Sequence, residues 1–263
     1  MMEGCDMWIS TTILNWRAAR GGHALHDDNN WRRPYEILAH AESIILNNLK
    51  ELDLVDAVTT LKRAVDHRLR AIKESYPFQK LPIKSKPNKD LALLEYFGII
   101  RHNMLLQLIQ IRNRVEHEDA SPPRKERCQE FADTVWYFLR TTDILVKETL
   151  YDYALLKVNE EDTLADYSIE VKVDLSNNWA VDFNGLVSSE LISTSKVDGW
   201  IETQPIEIRS VSDVIANTDT KKDGYFVKYL QERQFKGDDV LFRSRFVGKE
   251  DELREIIKLY FIS

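Results

Sequence analysis

The chain has 263 residues, 43% of them hydrophobic, and carries 36 Lys/Arg against 43 Asp/Glu for a net charge of −7. That composition supplies cores for one large or two ordinary domains and excludes a disordered chain, and an acidic total excludes nucleic-acid binding by bulk attraction, leaving only a local patch. No apolar run approaches the roughly 18 residues of a membrane span, and MMEGCDMWISTTILNW lacks the basic start of a secretion signal, so the expectation is a cytoplasmic protein with no membrane partner.

Cys5 and Cys128 stand far apart and form neither a disulfide framework nor a metal spacing, which suits a reducing compartment. The charge is uneven. Residues 1–150 hold 22 Lys/Arg and 21 Asp/Glu, a net of +1, whereas residues 151–263 hold 14 and 22, a net of −8.

Residues 1–32 read as a poorly ordered leader, because GGHALHDDNNWRRP is dense in turn formers. Its His23 and His26 form an HxxH pair without further ligands, so the expectation is a floppy polar segment and no metal site. From Tyr35 the period becomes helical. YEILAHAESIILNNLKEL places Ile37, Ala41, Ile44, Ile45 and Leu49 at steps of three and four, and the next segment repeats this with Val58, Leu61, Val65, Leu69 and Ile72. The run KRAVDHRLRAIKESYPFQKLPIKSKPNK, residues 62–89, carries nine Lys/Arg against Asp66 and Glu74 and reads as a solvated helix face followed by a basic loop. A third helix is predicted over DLALLEYFGIIRHNMLLQLIQIRNRVEHE, stopped by SPP, and a fourth over RKERCQEFADTVWYFLRTTDILVKETLYDYALL. The expected fold is therefore α+β. An N-terminal up-down four-helix bundle, residues 33–152, precedes a β-rich accessory or sensor domain, residues 153–263, that ends in a helix.

In that second half SIEVKVDL alternates, Asn184-Gly185 in WAVDFNGLVSS predicts a hairpin turn, and GWIETQPIEIRSV, YFVKYL and DVLFRSRFV add candidate strands. EDELREIIKLYF is an amphipathic helix. Asp166 with Glu170 and Lys172 loosely resembles a carboxylate–lysine nuclease site, although E-x-K is common on solvated strands. Trp179, Trp200, Tyr225, Phe226 and Tyr229 read as packing residues.

The third predicted helix interrupts its apolar run with polar residues. Asn113 and His117 are four apart and share a face, as do Arg112 and Glu116. Arg101, His102 and Asn103 lie eleven residues earlier, three turns at 3.6 residues each, on nearly the same faces. Burying such groups unpaired is costly, so they line a cleft, pair, or face water. On spacing alone, Arg112 pairs with Glu116, and His117 is a charged residue favoured at a helix C-terminus.

Arg112-Asn113-Arg114-Val115-Glu116-His117, with an apolar run before it and a Pro-containing turn and amphipathic helix after it, resembles the R-N-x-x-x-H motif of the HEPN superfamily of ribonucleases. The resemblance covers roughly residues 33–152. It implies a metal-independent endoribonuclease that leaves a 2′,3′-cyclic phosphate and requires no cofactor. Arg112, Asn113 and His117 would form the catalytic set, with Arg101, His102 and Arg114 as RNA contacts. It further implies a homodimer with the cleft between two third helices, RNA (tRNA, rRNA or mRNA) as substrate, and a toxin or antiviral-defence role with an antitoxin or regulatory partner. The residue types suit this chemistry, since His titrates near neutrality and Arg is a permanently charged phosphate ligand. Asp119 stands where some members paired with an antitoxin carry Tyr, so modification by that route is not expected. The alternatives are a non-catalytic HEPN module that binds RNA or a protein, a metal-dependent nuclease in the C-terminal half, and a plain interaction protein.

Overall fold

The computed structural model describes residues 6–26, 31–47, 50–118, 120–158, 167–217, 227–233 and 235–263. The chain is α+β and divides into two compact units. One comprises Ala24–Gln79 and Ser85–Thr149; the other comprises Met1–His23, Lys80–Lys84 and Leu150–Ser263.

The first unit is helical. It contains α1 (Arg33–Leu46), α2 (Glu51–Ser75), α3 (Asp90–Tyr96), α4 (Asn103–His117) and α5 (Lys125–Lys147). The central helix, α2, packs on α1, α4 and α5. The predicted periodicity places Val58, Leu61, Val65 and Ile72 in its core, and Ile37, Ala41 and Ile45 on the facing side of α1. Leu49 lies outside the described residues.

The second unit is built on an eight-stranded antiparallel sheet. Its strands are β1 (Met7–Ile9), β2 (Arg17–Arg20), β5 (Asp152–Leu156), β6 (Ser168–Asp174), β7 (Ala180–Val187), β8 (Ile192–Ser193), β9 (Ile201–Ser210) and β10 (Val240–Phe246). Their order is β2-β5-β6-β7-β10-β9-β1-β8. A separate two-stranded ribbon joins β3 (His23–Leu25) and β4 (Glu148–Leu150). In β6, Ile169, Val171 and Val173 point inward, while Glu170, Lys172 and Asp174 point to solvent. The apolar face is closed by the helix Glu250–Ile262, which buries Leu253, Ile256, Ile257 and Tyr260. Tyr153 donates to the Ile256 carbonyl at 2.9 Å and Tyr260 to that of Leu150 at 2.6 Å.

This sheet is strongly curled. Only residues 10–16 separate β1 from β2, and Thr11–Asn15 is a 3-10 helix. At about 2 Å rise per 3-10 residue, that connection reaches roughly 20 Å. A flat sheet would put six strand spacings of about 4.8 Å between the two strands. The connection closes only if the two sides of the sheet bend toward each other.

Two short helices cover one end of the outer face. Val211 and Val214 of α6 (Val211–Asn217) and Leu230 of a helix at residues 227–232 form a small core with Leu186.

The structure corrects the expected fold. The described residues do not open with a four-helix bundle. They open with strands, because Met7 and Ile9 are fully buried apolar residues whose partners, Thr203 and Ile201, lie far along the chain. The single third helix is two helices. α3 ends in a Schellman motif, with Gly98 at φ 74°, its N–H on the Glu95 carbonyl and that of Ile99 on the Leu94 carbonyl. Asn184-Gly185 makes no turn but sits inside β7, where a Cβ on Gly185 would lie 2.4 Å from the Ser168 carbonyl oxygen. The hairpin turn falls at residues 175–179 instead. YFVKYL is no strand either: from Val227 it is helical, and Tyr225 and Phe226 lie outside the described residues.

Candidate functional site

The last two turns of α4 carry Arg112, Asn113, Arg114 and His117. Leu105, Leu108 and Val115 anchor the inner face of this helix. The polar residues follow from the period: Asn113, Arg114 and His117 are exposed, and Arg112 is half-buried. Pro122 and Pro123 then bar continuation of the helix toward α5.

Arg112 does not stand free. Its guanidinium pairs with Glu116 one turn on, and the two side chains are 24% and 23% exposed. A second guanidinium N–H donates to Asn113 Oδ1 at 3.2 Å, and Nε is buried without a partner. Glu116 also accepts from the Thr59 hydroxyl of α2 at 2.8 Å. Asn113 therefore orients Arg112 rather than His117. The arginine is held by two partners, Glu116 and Asn113, and its side chain stays about a quarter exposed. His117 stands exposed at the C-terminal end of the helix. Five residues at about 100° each put Arg112 and His117 some 140° apart around the axis, on different faces.

Arg101 and His102 precede α4 and are not on its faces, because the helix is interrupted between Tyr96 and Asn103. Arg101 is exposed. His102 Nδ1 lies 2.6 Å from Glu95 Oε2, across the α3–α4 corner. That contact occupies the ring, so the structure does not bring His102 together with Arg112 and His117 as one strip. Asp119 lies outside the described residues.

The other candidates are placed as follows. His26 Nε2 contacts the Thr149 hydroxyl at 2.8 Å, and His23 is exposed on β3. Glu170 and Lys172 share the solvated face of β6, as alternation requires, but Glu170 accepts from Asn184 at 3.1 Å. Asp166 lies outside the described residues. Among the described residues no group of three His, Cys, Asp or Glu is placed to hold a metal ion, and no helix is long and apolar enough to cross a membrane. Trp179 is a fully buried core residue. Cys128 is buried beside Phe131, and burial together with the nearby Glu126 pushes its thiol up to about 11, away from nucleophilic use.

One charged centre in the helical unit has no counterpart in the sequence reading. Arg68 of α2 is 0% exposed and donates to Asp143 Oδ1 of α5 at 2.8 Å, to the Leu139 carbonyl at 3.1 Å and to the Trp31 carbonyl at 3.3 Å. Asp143 also accepts from Lys147 at 2.9 Å. Burial pushes the Asp143 carboxyl up, but the bonds from Lys147 and Arg68 outweigh it and hold it below the ordinary range. The spacing Asp143/Lys147 was the only sequence signal of this network.

No family model, curated protein or solved structure matches the chain.

Proposed function

We propose that the protein is a metal-independent endoribonuclease of the HEPN type, acting as a toxin or antiviral-defence effector in the cytoplasm. One observation supports the reading above others. The R-N-x-x-x-H segment forms the accessible C-terminal turns of α4, with His117 in solvent and Arg112 held in place by Glu116 and Asn113. The motif carries this reading; the helix order of a bundle does not.

The chemistry follows from the residue types. The RNA 2′-oxygen attacks the adjacent phosphorus while the P–O5′ bond breaks, which yields a 2′,3′-cyclic phosphate and a 5′-hydroxyl. His117 of one copy accepts the 2′-OH proton, and His117 of a second copy delivers a proton to O5′. Arg112 stabilises the extra negative charge on the phosphorane. Because Arg112 and His117 lie on different faces of one helix, a two-fold homodimer that juxtaposes two α4 ends supplies what one chain separates. Arg101 and Arg114 extend the cationic surface available to the backbone. A regulatory or antitoxin partner and the specific RNA belong to the same proposal.

The test is RNA cleavage in EDTA by wild type, Arg112→Ala and His117→Ala, with end-group analysis. Cyclic-phosphate ends made by wild type and lost by at least ~100-fold in both variants support the enzyme. Chelator-sensitive cleavage, or cleavage that survives His117→Ala, overturns it.

The Arg112–Glu116 pair favours a second reading. A guanidinium neutralised by a neighbouring carboxylate is less free to stabilise a phosphorane, which suits a non-catalytic module that binds RNA through other residues or binds a protein partner. Under that reading His117→Ala leaves every function of the chain intact.

A further inference from the structure

Beside that site, α2 carries a second cationic surface. Arg63 and Arg70 are exposed, and half-buried His67 lies between them at steps of four and three residues. Arg33 and Glu36 of α1 and Arg63, with Ile37, His40 and Thr60, line a cleft of about 170 Å³.

Arg70 lines a second cleft with Lys73 and the carboxylates of Asp66, Glu74 and Asp90, and most of the local carboxylates are committed. Asp66 is bound by Lys62 at 2.5 Å, Asp90 by Lys73 at 3.1 Å and Glu36 by Arg33 at 2.7 Å. Among the described residues neither Arg63 nor Arg70 makes an ion pair. The net cationic field registers on His67, whose imidazole is held below its ordinary value by burial first and then by Arg70, Arg63 and Arg33, with Asp66 opposing them. Natural surfaces intersperse the two signs, so like charges left uncancelled along one helix line call for an anion. Seven residues put Arg63 and Arg70 about 10.5 Å apart along the axis and within about 20° around it. That spacing spans separate phosphates of a polymer and does not clamp a single one.

We propose that Arg63, His67 and Arg70 of α2, together with Arg33 of α1, form a track for the phosphodiester backbone of single-stranded RNA. Naming RNA as the polyanion rests on the proposed function; the track itself rests on the charge geometry. Guanidinium forks suit phosphate oxygens, and half-buried His67 donates a further N–H. The contacts are to backbone, so they supply affinity and register without reading sequence.

The experiment is fluorescence anisotropy with a labelled 2′-O-methyl RNA, which has no free 2′-OH and survives any cleavage. The full-length protein is titrated from about 50 to about 200 mM salt. In the Arg63→Gln/Arg70→Gln variant, affinity at low salt falls at least ~10-fold, and the slope of log K against log salt becomes shallower by about 0.7 per lost phosphate contact. Arg63→Lys/Arg70→Lys retains the slope. Lys228→Gln, an exposed position remote in sequence, leaves both quantities unchanged. Thr60→Glu adds a carboxylate to the cleft and weakens binding without removing an arginine, which guards against misfolding of the double variant. Binding through Arg63 and Arg70 by a protein that cleaves no RNA supports the track and overturns the nuclease. Cleavage by a protein whose double variant binds like wild type, with the same slope, overturns the track alone. Absence of RNA binding by wild type overturns the track as well.

Discussion

Two arginine–carboxylate pairs of the helical unit, Arg68–Asp143 and Arg112–Glu116, share a chemistry and differ in consequence. Arg68–Asp143 joins α2 to α5 with the arginine wholly out of water; the Leu139 and Trp31 carbonyls accept two further N–H bonds, while Nε, like that of Arg112, has no partner. Arg112–Glu116 lies along one helix at about a quarter exposure, with one nitrogen left unbonded. Removing one partner of a buried pair strands a charge in a low-dielectric interior; removing one partner of a half-exposed pair leaves a charge that water and ions reach. The first arrangement therefore serves the fold, and the second leaves its arginine within reach of solvent.

The sharpest way to break that contrast is to truncate both carboxylates. Asp143→Ala leaves Arg68 uncompensated and costs ~3–5 kcal/mol in denaturant unfolding, enough to unfold a marginal domain. Glu116→Ala shifts stability by no more than ~0.5 kcal/mol. Equal losses in the two variants would refute the distinction.

Acid sharpens it next. The Asp143 carboxyl lies below its ordinary value in the folded protein, so its contribution is fully present above the unfolded value near ~3.9 and is lost as pH falls through the folded value. Asp143→Asn flattens the fall of stability in that acidic window. An acid profile of Asp143→Asn that parallels wild type would show that the pair contributes no proton linkage.

His67 gives a smaller effect of the opposite residue type. Its folded value is lowered, so protonation is opposed in the native state and destabilises as pH falls below the unfolded value near ~6.5. Arg63→Gln/Arg70→Gln relieves part of that opposition and moves the imidazole back toward ordinary titration, as NMR of the His67 ring protons reads directly. An unmoved titration would mean that burial alone depresses it.

Local information decided what was legible beforehand. The 3.6 period of α1, α2 and α5 marks their buried faces, and the alternation of β6 marks its outer charges, because both patterns arise within one element. Met7–Ile9 carries no such pattern; its strand character comes from pairing with Ile201–Thr203, nearly two hundred residues away. Gly98 stood in plain view, yet the apolar run across it hid a helix end that only the Schellman bonds reveal. Gly185 read as a turn residue for the same reason in reverse, since its need is space beside Ser168 and not a positive φ. In the candidate site, Arg112–Glu116 followed from i, i+4 spacing alone. The tie of His102 to Glu95 required the α3–α4 corner, and Arg68–Asp143 bridges 75 positions in the chain.

Glu116 offers the smallest and most discriminating perturbation. Glu116→Gln keeps the volume of the side chain and an acceptor for the Thr59 hydroxyl, but removes the charge that Arg112 now faces. If Arg112 is a phosphate ligand restrained by a competing carboxylate, the variant binds RNA several-fold more tightly at low salt, and the gain fades above ~0.15 M as screening shortens the reach of both charges. If Glu116 instead positions the guanidinium for the phosphorane, binding is unchanged and the cleavage rate falls, since an unrestrained arginine pays rotamer entropy in the transition state. The two outcomes move different quantities, affinity in one case and rate in the other. A variant in which neither moves would reduce Arg112–Glu116 to an ordinary helix-surface pair, and would leave the exposed His117 without the cationic neighbour that its proposed chemistry requires.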